Sequence, residues 1–255
     1  MIRVRIMKFN RTSINELNAL VNRACEVYLG IENDFEEVAS KIIWLEVNDF
    51  GGIHRFIGLI SNEMRNLNNR PELLDNKKEV IFNNNNKSLI LSSHFITDIA
   101  LSNWYDDKRK NIKIINARDP EALIPDLLKF TKYQFEPIFI WFSEKKLYKV
   151  HIRKNEDILY SEHKIPSLSK NDLENYIMLF SNQEDLEKYQ FNPDFLEIKD
   201  KNIIQEIHPK NFLSKENDKL MNGLYIDKEA FKTMSKLADQ VLVASNEQSR
   251  QGAGE

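Results

Sequence analysis

The chain has 255 residues, a net charge of −3 and 29% charged residues of both signs. This length gives one large domain or two small ones, and it can bury a core without disulfides or metal ions. The balanced charge lacks the basic excess typical of nucleic-acid binding. No run approaches the ~18 apolar residues of a membrane span. We therefore expect a cytoplasmic protein with neither a nucleic acid nor a membrane as partner.

The single cysteine, Cys25, cannot form an internal disulfide and indicates a reducing compartment. It lies on the apolar side of a predicted helix, and we interpret it as a buried thiol rather than a nucleophile. Residues 1–9 alternate with a period of two, which predicts an extended strand and not a signal peptide.

Three amphipathic helices are predicted in the first third of the chain. Ser13 and Glu16 form the capping-box pattern that opens the first helix, and Gly30 is placed to end it. Similar capping residues at 33–36 open the second helix, and the third follows Gly51–Gly52. Helices joined this closely are typical of a packed hairpin arrangement.

The rest of the chain mixes strand and helix patterns. Segments 68–78 and 83–87 have a turn-like composition, and we interpret the asparagine run in the second as compositional bias. The apolar stretch from Ser88 to Trp104 predicts a helix over its second half. Further predicted elements are strands at 80–82, 112–115, 137–142, 147–152, 157–161, 195–198 and 203–207, a helix opening at Asp119–Pro120 and a C-terminal helix capped by Asp227.

These elements predict an α+β fold in which a helical N-terminal third packs on a mixed β-sheet, with a C-terminal helix and a Gly-rich tail. We divide the chain into a helical region at 1–67, an α+β region at 79–243 and the tail at 244–255. Together they are expected to form one domain.

Glycine is scarce, with seven in the whole chain, and we expect it where the backbone needs positive φ or a close approach. The tail combines the ingredients of an anion-binding loop: the Arg250 fork, the hydroxyls of Ser245 and Ser249, and backbone amides at Gly252 and Gly254. A frayed terminus is the alternative interpretation.

His54 and Arg55 follow Gly51–Gly52 in the first turn of a predicted helix. A helix N-terminus with nearby cations binds carboxylate or phosphate, which makes this a second candidate anion site. The alternative is an ordinary helix–helix turn with exposed polar residues.

His94 and Asp98 are spaced to share a helix face, as a base and its orienting carboxylate would. A capping or surface hydrogen bond is the alternative. The five histidines have no zinc-motif spacing, and the chain has no P-loop, nucleophile elbow or dinucleotide-binding glycine motif. We expect no metal and no cofactor.

Both ends of the chain resemble a bacterial domain-of-unknown-function family whose members begin S-x-N-E and end in P-A-S-E-x-S-R followed by G-A-G. The matching residues are Ser13, Asn15, Glu16, Leu20, Ala24, Gly30, Glu36, Glu37, Ala39, Trp44 and Leu45, then Leu123, Pro125, Ile140 and Phe142, then Ala244, Ser245, Ser249, Arg250 and Gly252–Gly254. Val243 stands where that family has proline, and the chain stops at Glu255 before the second half of its Gly-rich ending. The family carries no activity to transfer.

The helical start and the Gly-x-x-Arg pattern from Gly52 to Arg55 are also similar to the opening of the malate and lactate dehydrogenases that lack a Rossmann fold. The catalytic histidine of those enzymes falls at Gly51. Their nicotinamide-binding region has no recognisable counterpart in this sequence.

The sequence leaves open whether the chain is an enzyme. The first hypothesis is that it binds a small anionic metabolite, a carboxylate, through Arg250 and the tail, assisted by His54 and Arg55. The alternative is a non-catalytic accessory subunit whose tail inserts into a partner protein. A third hypothesis is a hydrolase or oxidoreductase that uses His94 and Asp98.

Overall fold

A computed structural model describes residues 9–30, 34–62, 70–75, 79–106, 111–143, 146–164, 176–189 and 203–249. The chain divides into two compact units, the first formed by 1–67 with 214–255 and the second by 68–213. Within these described ranges, no helix is long and apolar enough to span a membrane.

The elements begin with three successive helices after a short strand, and strands then predominate in the middle of the chain. The first are β1 (Phe9–Thr12), α1 (Ile14–Leu29), α2 (Phe35–Val47), α3 (Gly52–Asn62), β2 (Glu72–Asp75), β3 (Val80–Ser88), α4 (Leu89–Tyr105) and β4 (Ile112–Arg118). Next are α5 (Leu123–Leu128), β5 (Ile138–Ser143), β6 (Lys146–Ile152), β7 (Ile158–Lys164), β8 (Tyr176–Phe180) and α6 (Gln183–Lys188). The last are β9 (Ile203–Ile207), α7 (Pro209–Asn222), β10 (Leu224–Asp227) and α8 (Lys228–Ser249), and short 3-10 turns occupy Pro120–Ala122, Lys129–Tyr133 and Lys154–Glu156.

Helix α1 begins and ends as the sequence predicts. The Glu16 backbone N–H donates to Ser13 Oγ at 3.2 Å, and the Ser13 N–H donates to Glu16 Oε2 at 2.8 Å, which completes the capping box. The hydrogen bonds from Ser13 lower the pKa of the Glu16 carboxyl. Gly30 ends the helix with φ 85°. Both signals are local, which is why the sequence alone shows them.

The first unit is built around α1, which packs against α2 and α8, while β1 pairs antiparallel with β10. Cys25 is fully buried in this core, and burial raises the pKa of its thiol, so the interpretation as a buried thiol is confirmed. Its other fully buried residues include Leu17, Val21, Ala24, Ala39, Ile42, Leu45, Phe56, Met234 and Ala238.

Asp49 joins the α2–α3 connection to α7 within the first unit. Lys215 Nζ lies 2.9 Å from Asp49 Oδ2, and Lys219 Nζ lies 3.3 Å from Oδ1. Partial burial acts to raise the pKa of this carboxyl, but the hydrogen bond and charge of Lys215, with those of Lys219, outweigh it and lower the pKa. A lowered pKa in the folded state stabilises the protein above the pKa of the unfolded chain, ~3.9.

We expect Asp49→Asn to lower the free energy of unfolding by about 0.5 kcal/mol at pH 7, since the carboxylate is largely exposed to solvent. The difference between variant and wild type should vanish as the pH falls below ~3.9 and through the lower folded pKa of Asp49. The aspartate is then protonated, so it is as neutral as the asparagine that replaces it. Urea unfolding at a series of pH values measures it. A difference that is unchanged at pH 2.5 would contradict the ion-pair explanation.

The second unit contains an eight-stranded sheet with the strand order β2-β3-β4-β8-β5-β6-β7-β9. Strands β3 and β4 are parallel, and the other neighbours are antiparallel. The α+β class and the mixed sheet are therefore confirmed. Helix α4 packs on β3 and β4, α5 packs on α4 and β6, and α6 packs on β8. The hairpin β5–β6 lies in the predicted place.

Three expectations for the second unit are wrong. Strand β2 lies within the segment 68–78 that was predicted to be a loop, because it pairs with β3. Helix α4 covers the whole apolar stretch, because Ser88 caps it by accepting a hydrogen bond from the Ile90 N–H at 3.2 Å. Apolar residues surround most of this helix, so the alternation of an apolar and a polar face that identifies an amphipathic helix is missing from its first half. Strand β3 continues through the asparagine run instead of ending at residue 82, with an irregular register between Asn83 and Lys87. The sequence also missed β8, α6, α7 and β10, and the predicted strand at 195–198 lies outside the described residues.

Candidate functional site

The carboxyl ends of β3 and β4 meet at one edge of the sheet because the two strands are parallel, with Lys87 opposite Ala117 and Ser88 opposite Arg118. Helix α4 begins at the same place and returns the chain to β4. Ligands of sheets with this connection bind outside the carboxyl ends of the parallel strands, near a helix N-terminus. We call residues 83–88 and 116–119 the β3–β4 edge.

Four residues of this edge adopt left-handed backbone conformations: Asn85, Asn86, Asn116 and Asp119, with φ between 52° and 59°. Asparagine and aspartate tolerate this region better than other residues with a Cβ. Asn83 Oδ1 accepts from the Asn85 N–H at 3.0 Å and from Asn116 Nδ2 at 3.1 Å, which joins the two strand ends. The asparagine run therefore takes part in the structure of this edge, and its origin in compositional bias stays a prediction.

A guanidinium and a carboxylate lie side by side at this edge. Arg118 is exposed, and its Nε donates to the Asn86 carbonyl at 2.8 Å. Asp119 Oδ2 accepts from Ser88 Oγ at 2.5 Å. Since both side chains contact the segment 86–88, both belong to the same edge. A cation and an acceptor-only group are thus presented together.

A buried polar layer supports the edge from below. Ser92 Oγ donates to Asn84 Oδ1 at 2.8 Å, and Asn84 Nδ2 donates to the Lys87 carbonyl at 2.8 Å. Ser93 Oγ donates to Asp126 Oδ2 at 2.5 Å, which ties α4 to α5. Asn84, Ser92, Ser93 and Asp126 are all buried. Buried networks whose members are hydrogen-bonded fix side chains in one arrangement.

His94 and Asp98 lie one turn apart on α4, as their spacing predicts. The His94 ring packs against the Phe95 ring with 4.0 Å between centroids, and Asp98 is exposed. The His94 carbonyl accepts from Thr97 Oγ1 at 3.0 Å. A catalytic role for the pair stays a prediction.

The α2–α3 junction shows why Gly51–Gly52 precedes α3. Glu46 Oε2 accepts from the Ile53 N–H at 2.9 Å, so a carboxylate of the protein itself occupies this helix N-terminus. Arg55 Nε donates to the Phe50 carbonyl at 2.8 Å, and His54 is exposed. This geometry matches an ordinary helix–helix turn. Ligand binding by His54 and Arg55 stays a prediction.

The tail prediction falls on residues that the structure does not describe. Arg250, Gly252 and Gly254 lie outside the described ranges. The backbone of Ser245 and Ser249 lies in α8, but the structure does not describe their side chains. In the part of the chain that is described, no group of three or more His, Cys, Asp or Glu residues is placed to hold a metal ion.

No family model and no curated protein sequence matches this chain. Solved structures match nearly all of it. Malate dehydrogenase from Pyrococcus horikoshii is 9% identical with a TM-score of 0.59, covering 92% of this chain and 96% of that one. Sulfolactate dehydrogenase from Methanocaldococcus jannaschii is 9% identical with a TM-score of 0.58, covering 91% and 97%. Malate dehydrogenase from Entamoeba histolytica is 9% identical with a TM-score of 0.57, covering 91% and 98%.

The fold is therefore that of a class of dehydrogenases, and at this identity the likeness shows the fold alone. This finding corrects the function expected from the sequence. An uncharacterised domain or a non-catalytic accessory subunit is contradicted by the structural neighbours named above, which are dehydrogenases and match over nearly their whole length. Ligand binding by the tail residues stays a prediction. The weaker resemblance, to malate and lactate dehydrogenases, agrees with the fold. The resemblance to the bacterial domain-of-unknown-function family stays a prediction.

A dehydrogenase fold raises the question of a nicotinamide cofactor. The pyrophosphate of a dinucleotide binds at the N-terminus of a helix that follows a parallel strand, usually beside glycines. At the start of α4 this place holds the Asp119 carboxylate bonded to Ser88, and residues 83–88 contain no glycine. The start of α4 therefore does not fit a pyrophosphate. The sheet is mostly antiparallel and is not the doubly wound parallel sheet to which this rule applies, so the comparison concerns this one place, and the proposed function uses no step through a nicotinamide.

Sequence reasoning missed Arg118 as a candidate and treated Asp119 only as the start of a helix. One signal was present. An apolar strand at 80–82, an apolar helix and a second apolar strand at 112–115 form the pattern of a βαβ unit. Recognising this pattern would have placed the residues after both strands at one edge.

Proposed function

We propose that this protein binds a small 2-hydroxy carboxylate at the β3–β4 edge. The observation that carries the proposal is the adjacent pair of Arg118 and Asp119 at the shared end of two parallel strands. The structural neighbours support the substrate class, since malate and sulfolactate are both 2-hydroxy carboxylates.

Arg118 is the group that recognises the carboxylate. A guanidinium presents a planar set of N–H donors that matches the two oxygens of a carboxylate. The hydrogen bond from its Nε to the Asn86 carbonyl restricts the side chain before a ligand arrives. A restricted donor loses less conformational entropy on binding.

Asp119 distinguishes a hydroxyl from a carbonyl on the neighbouring carbon. An ionised carboxylate only accepts hydrogen bonds, so it pairs with a 2-hydroxyl and repels a 2-oxo group. The bond from Ser88 holds the carboxylate at this edge, and Arg118 offsets its repulsion of the ligand's carboxylate.

Isothermal titration with lactate, malate, pyruvate and oxaloacetate tests the proposal. We expect the 2-hydroxy acids to bind the wild type about tenfold or more tightly than the 2-oxo acids, because Asp119 accepts a hydrogen bond from a 2-hydroxyl and repels a 2-oxo oxygen. Arg118→Gln should weaken binding of every carboxylate by about 10–100-fold, the effect of losing a charged hydrogen bond. Arg153→Gln, at an exposed arginine on the β6–β7 connection, is the matched control and should bind like the wild type.

The Asp119→Asn variant separates the two roles. Asparagine tolerates the left-handed conformation at this position, so the fold should be retained. Its amide can donate as well as accept, and we expect the preference for 2-hydroxy over 2-oxo acids to disappear. Equal affinities of wild-type protein for both kinds of acid, or full affinity in Arg118→Gln, would refute the proposal.

A further inference from the structure

The first unit contains an open groove of about 580 Å³ that plays no part in the proposed function. This volume falls within the ~300–1,000 Å³ of small-molecule sites. It lies between α1 and α8 and is closed at one side by β1, and we call it the α1–α8 groove. The lining includes Phe9, Arg11, Thr12, Glu16, Ala19, Arg23, Lys228, Phe231, Ser235 and Asp239.

The groove follows from the spacing of side chains on two packed helices. Its residues on α1 and on α8 recur at intervals of three or four, so each set occupies a single helix face. Ala19 and Ser235 are the small members of the two faces. Larger residues at these positions would fill the space between the helices.

Three cations line the groove: Arg11, Arg23 and Lys228. Arg11 Nε donates to the Asn222 carbonyl at 2.7 Å, and Arg23 Nε donates to the Ala19 carbonyl at 3.3 Å. These bonds use one edge of each guanidinium and orient the terminal N–H groups. No carboxylate among the described residues forms an ion pair with any of the three.

Two acids, Glu16 and Asp239, also line the groove, so three cations and two carboxylates leave it a net charge of +1. Glu16 Oε2 accepts from the Ser13 N–H, from Ser13 Oγ at 2.9 Å and from Thr12 Oγ1 at 3.3 Å, so it is occupied in the capping box. Asp239 lies on the exposed side of α8, three turns from Lys228. Arg11 on β1 and Lys228 in the first turn of α8 are two cations against the single Glu16 carboxylate at that end of the lining.

Two aromatic side chains add an apolar surface to the groove beside its cations. Phe9 is 53% exposed, and Phe231 on α8 is half-buried. Aromatic faces that remain accessible beside cations stack with flat ligand rings. A ligand that satisfies both features carries an anionic group and a planar ring.

We propose that the α1–α8 groove binds a phosphate monoester of an aromatic compound. A phosphate monoester carries close to two negative charges and three strong acceptor oxygens, which suits the guanidinium and ammonium groups that line the groove singly along its length. The ring of the ester lies against Phe9 and Phe231. This site is independent of the β3–β4 edge and of the carboxylate proposed there.

Isothermal titration with phenyl phosphate, inorganic phosphate and phenol provides the test. We expect phenyl phosphate to bind at least tenfold more tightly than either of the other two, because only it uses both the cations and the rings. Arg23→Gln and Lys228→Gln should each weaken phenyl phosphate about tenfold, while Phe231→Leu should weaken phenyl phosphate and leave inorganic phosphate unchanged.

Lys232→Gln is the matched control, since Lys232 is exposed on the next turn of α8 and does not line the groove. It should bind phenyl phosphate like the wild type, and so should Arg118→Gln at the β3–β4 edge. Thermal unfolding confirms that each variant is folded. Equal binding by Lys228→Gln and Lys232→Gln, or no binding of phenyl phosphate at millimolar concentration, would overturn the proposal.

Discussion

Replacing Gly52 with alanine should lower the free energy of unfolding by about 3 kcal/mol or more, the range of severe steric changes in a packed interior. A Cβ at this position would lie 2.0 Å from the Ile42 carbonyl oxygen, 2.9 Å from the Ile42 carbonyl carbon and 3.0 Å from the Glu46 nitrogen. All three are backbone atoms of α2. No rotamer change can remove such a contact, so α2 and α3 would have to separate.

Gly58→Ala is the matched control because Gly58 lies in the interior of the same helix. A Cβ there meets nothing within 4 Å, and the backbone is helical. Alanine is the better helix former, so this variant should gain about 0.5–1 kcal/mol. Urea unfolding of both variants measures the contrast. Equal unfolding midpoints would show that α2 and α3 do not approach each other as closely as described.

The glycine pair shows what a sequence can and cannot predict. The expectation that glycine marks positive φ or close approach holds at both positions, since Gly51 has φ 68° and Gly52 touches α2. Glu46 capping of the Ile53 N–H depends on the angle between two helices. No local pattern encodes that angle, so the sequence could not show that the protein supplies its own anion.

Elements with local signals were predicted well, and elements defined by distant partners were not. The capping box at Ser13 and the hairpin β5–β6 need only neighbouring residues. Strand β8 pairs with β4 and β5, both of which lie more than 30 residues away along the chain. Non-local pairing of this kind leaves little trace in a single sequence.

The candidate site was missed for the same reason. Arg118 contacts Asn86, and Asp119 contacts Ser88, across the whole length of α4. The two residues of each pair lie more than 30 residues apart along the chain, and only the parallel pairing of β3 with β4 brings them together. Residues suited to anion binding are neighbours in the sequence in the tail and in the Gly51–Arg55 segment, so the sequence predicted sites there instead.

We expect Asp126→Ala to lower the free energy of unfolding by about 3 kcal/mol, as the loss of one partner in a buried polar pair does. Asp126 is 1% exposed and accepts from Ser93 Oγ, which is itself fully buried. Truncation leaves the Ser93 hydroxyl without this acceptor and opens a void between α4 and α5. Urea unfolding provides the measurement, with Asp98→Ala on the exposed side of α4 as control, for which a change within about 0.5 kcal/mol is expected.

A double-mutant cycle with Ser93→Ala decides whether the hydrogen bond itself is responsible. If it is, Ser93→Ala and Asp126→Ala together should cost about 1–3 kcal/mol less than the sum of the single changes. Additive effects would assign the loss to packing alone. Because the Ser93–Asp126 pair is buried, its coupling should persist in 1 M salt, whereas the exposed Asp49–Lys215 pair should lose most of its contribution there. A coupling that survives high salt would show that the Ser93–Asp126 hydrogen bond is shielded from solvent between α4 and α5.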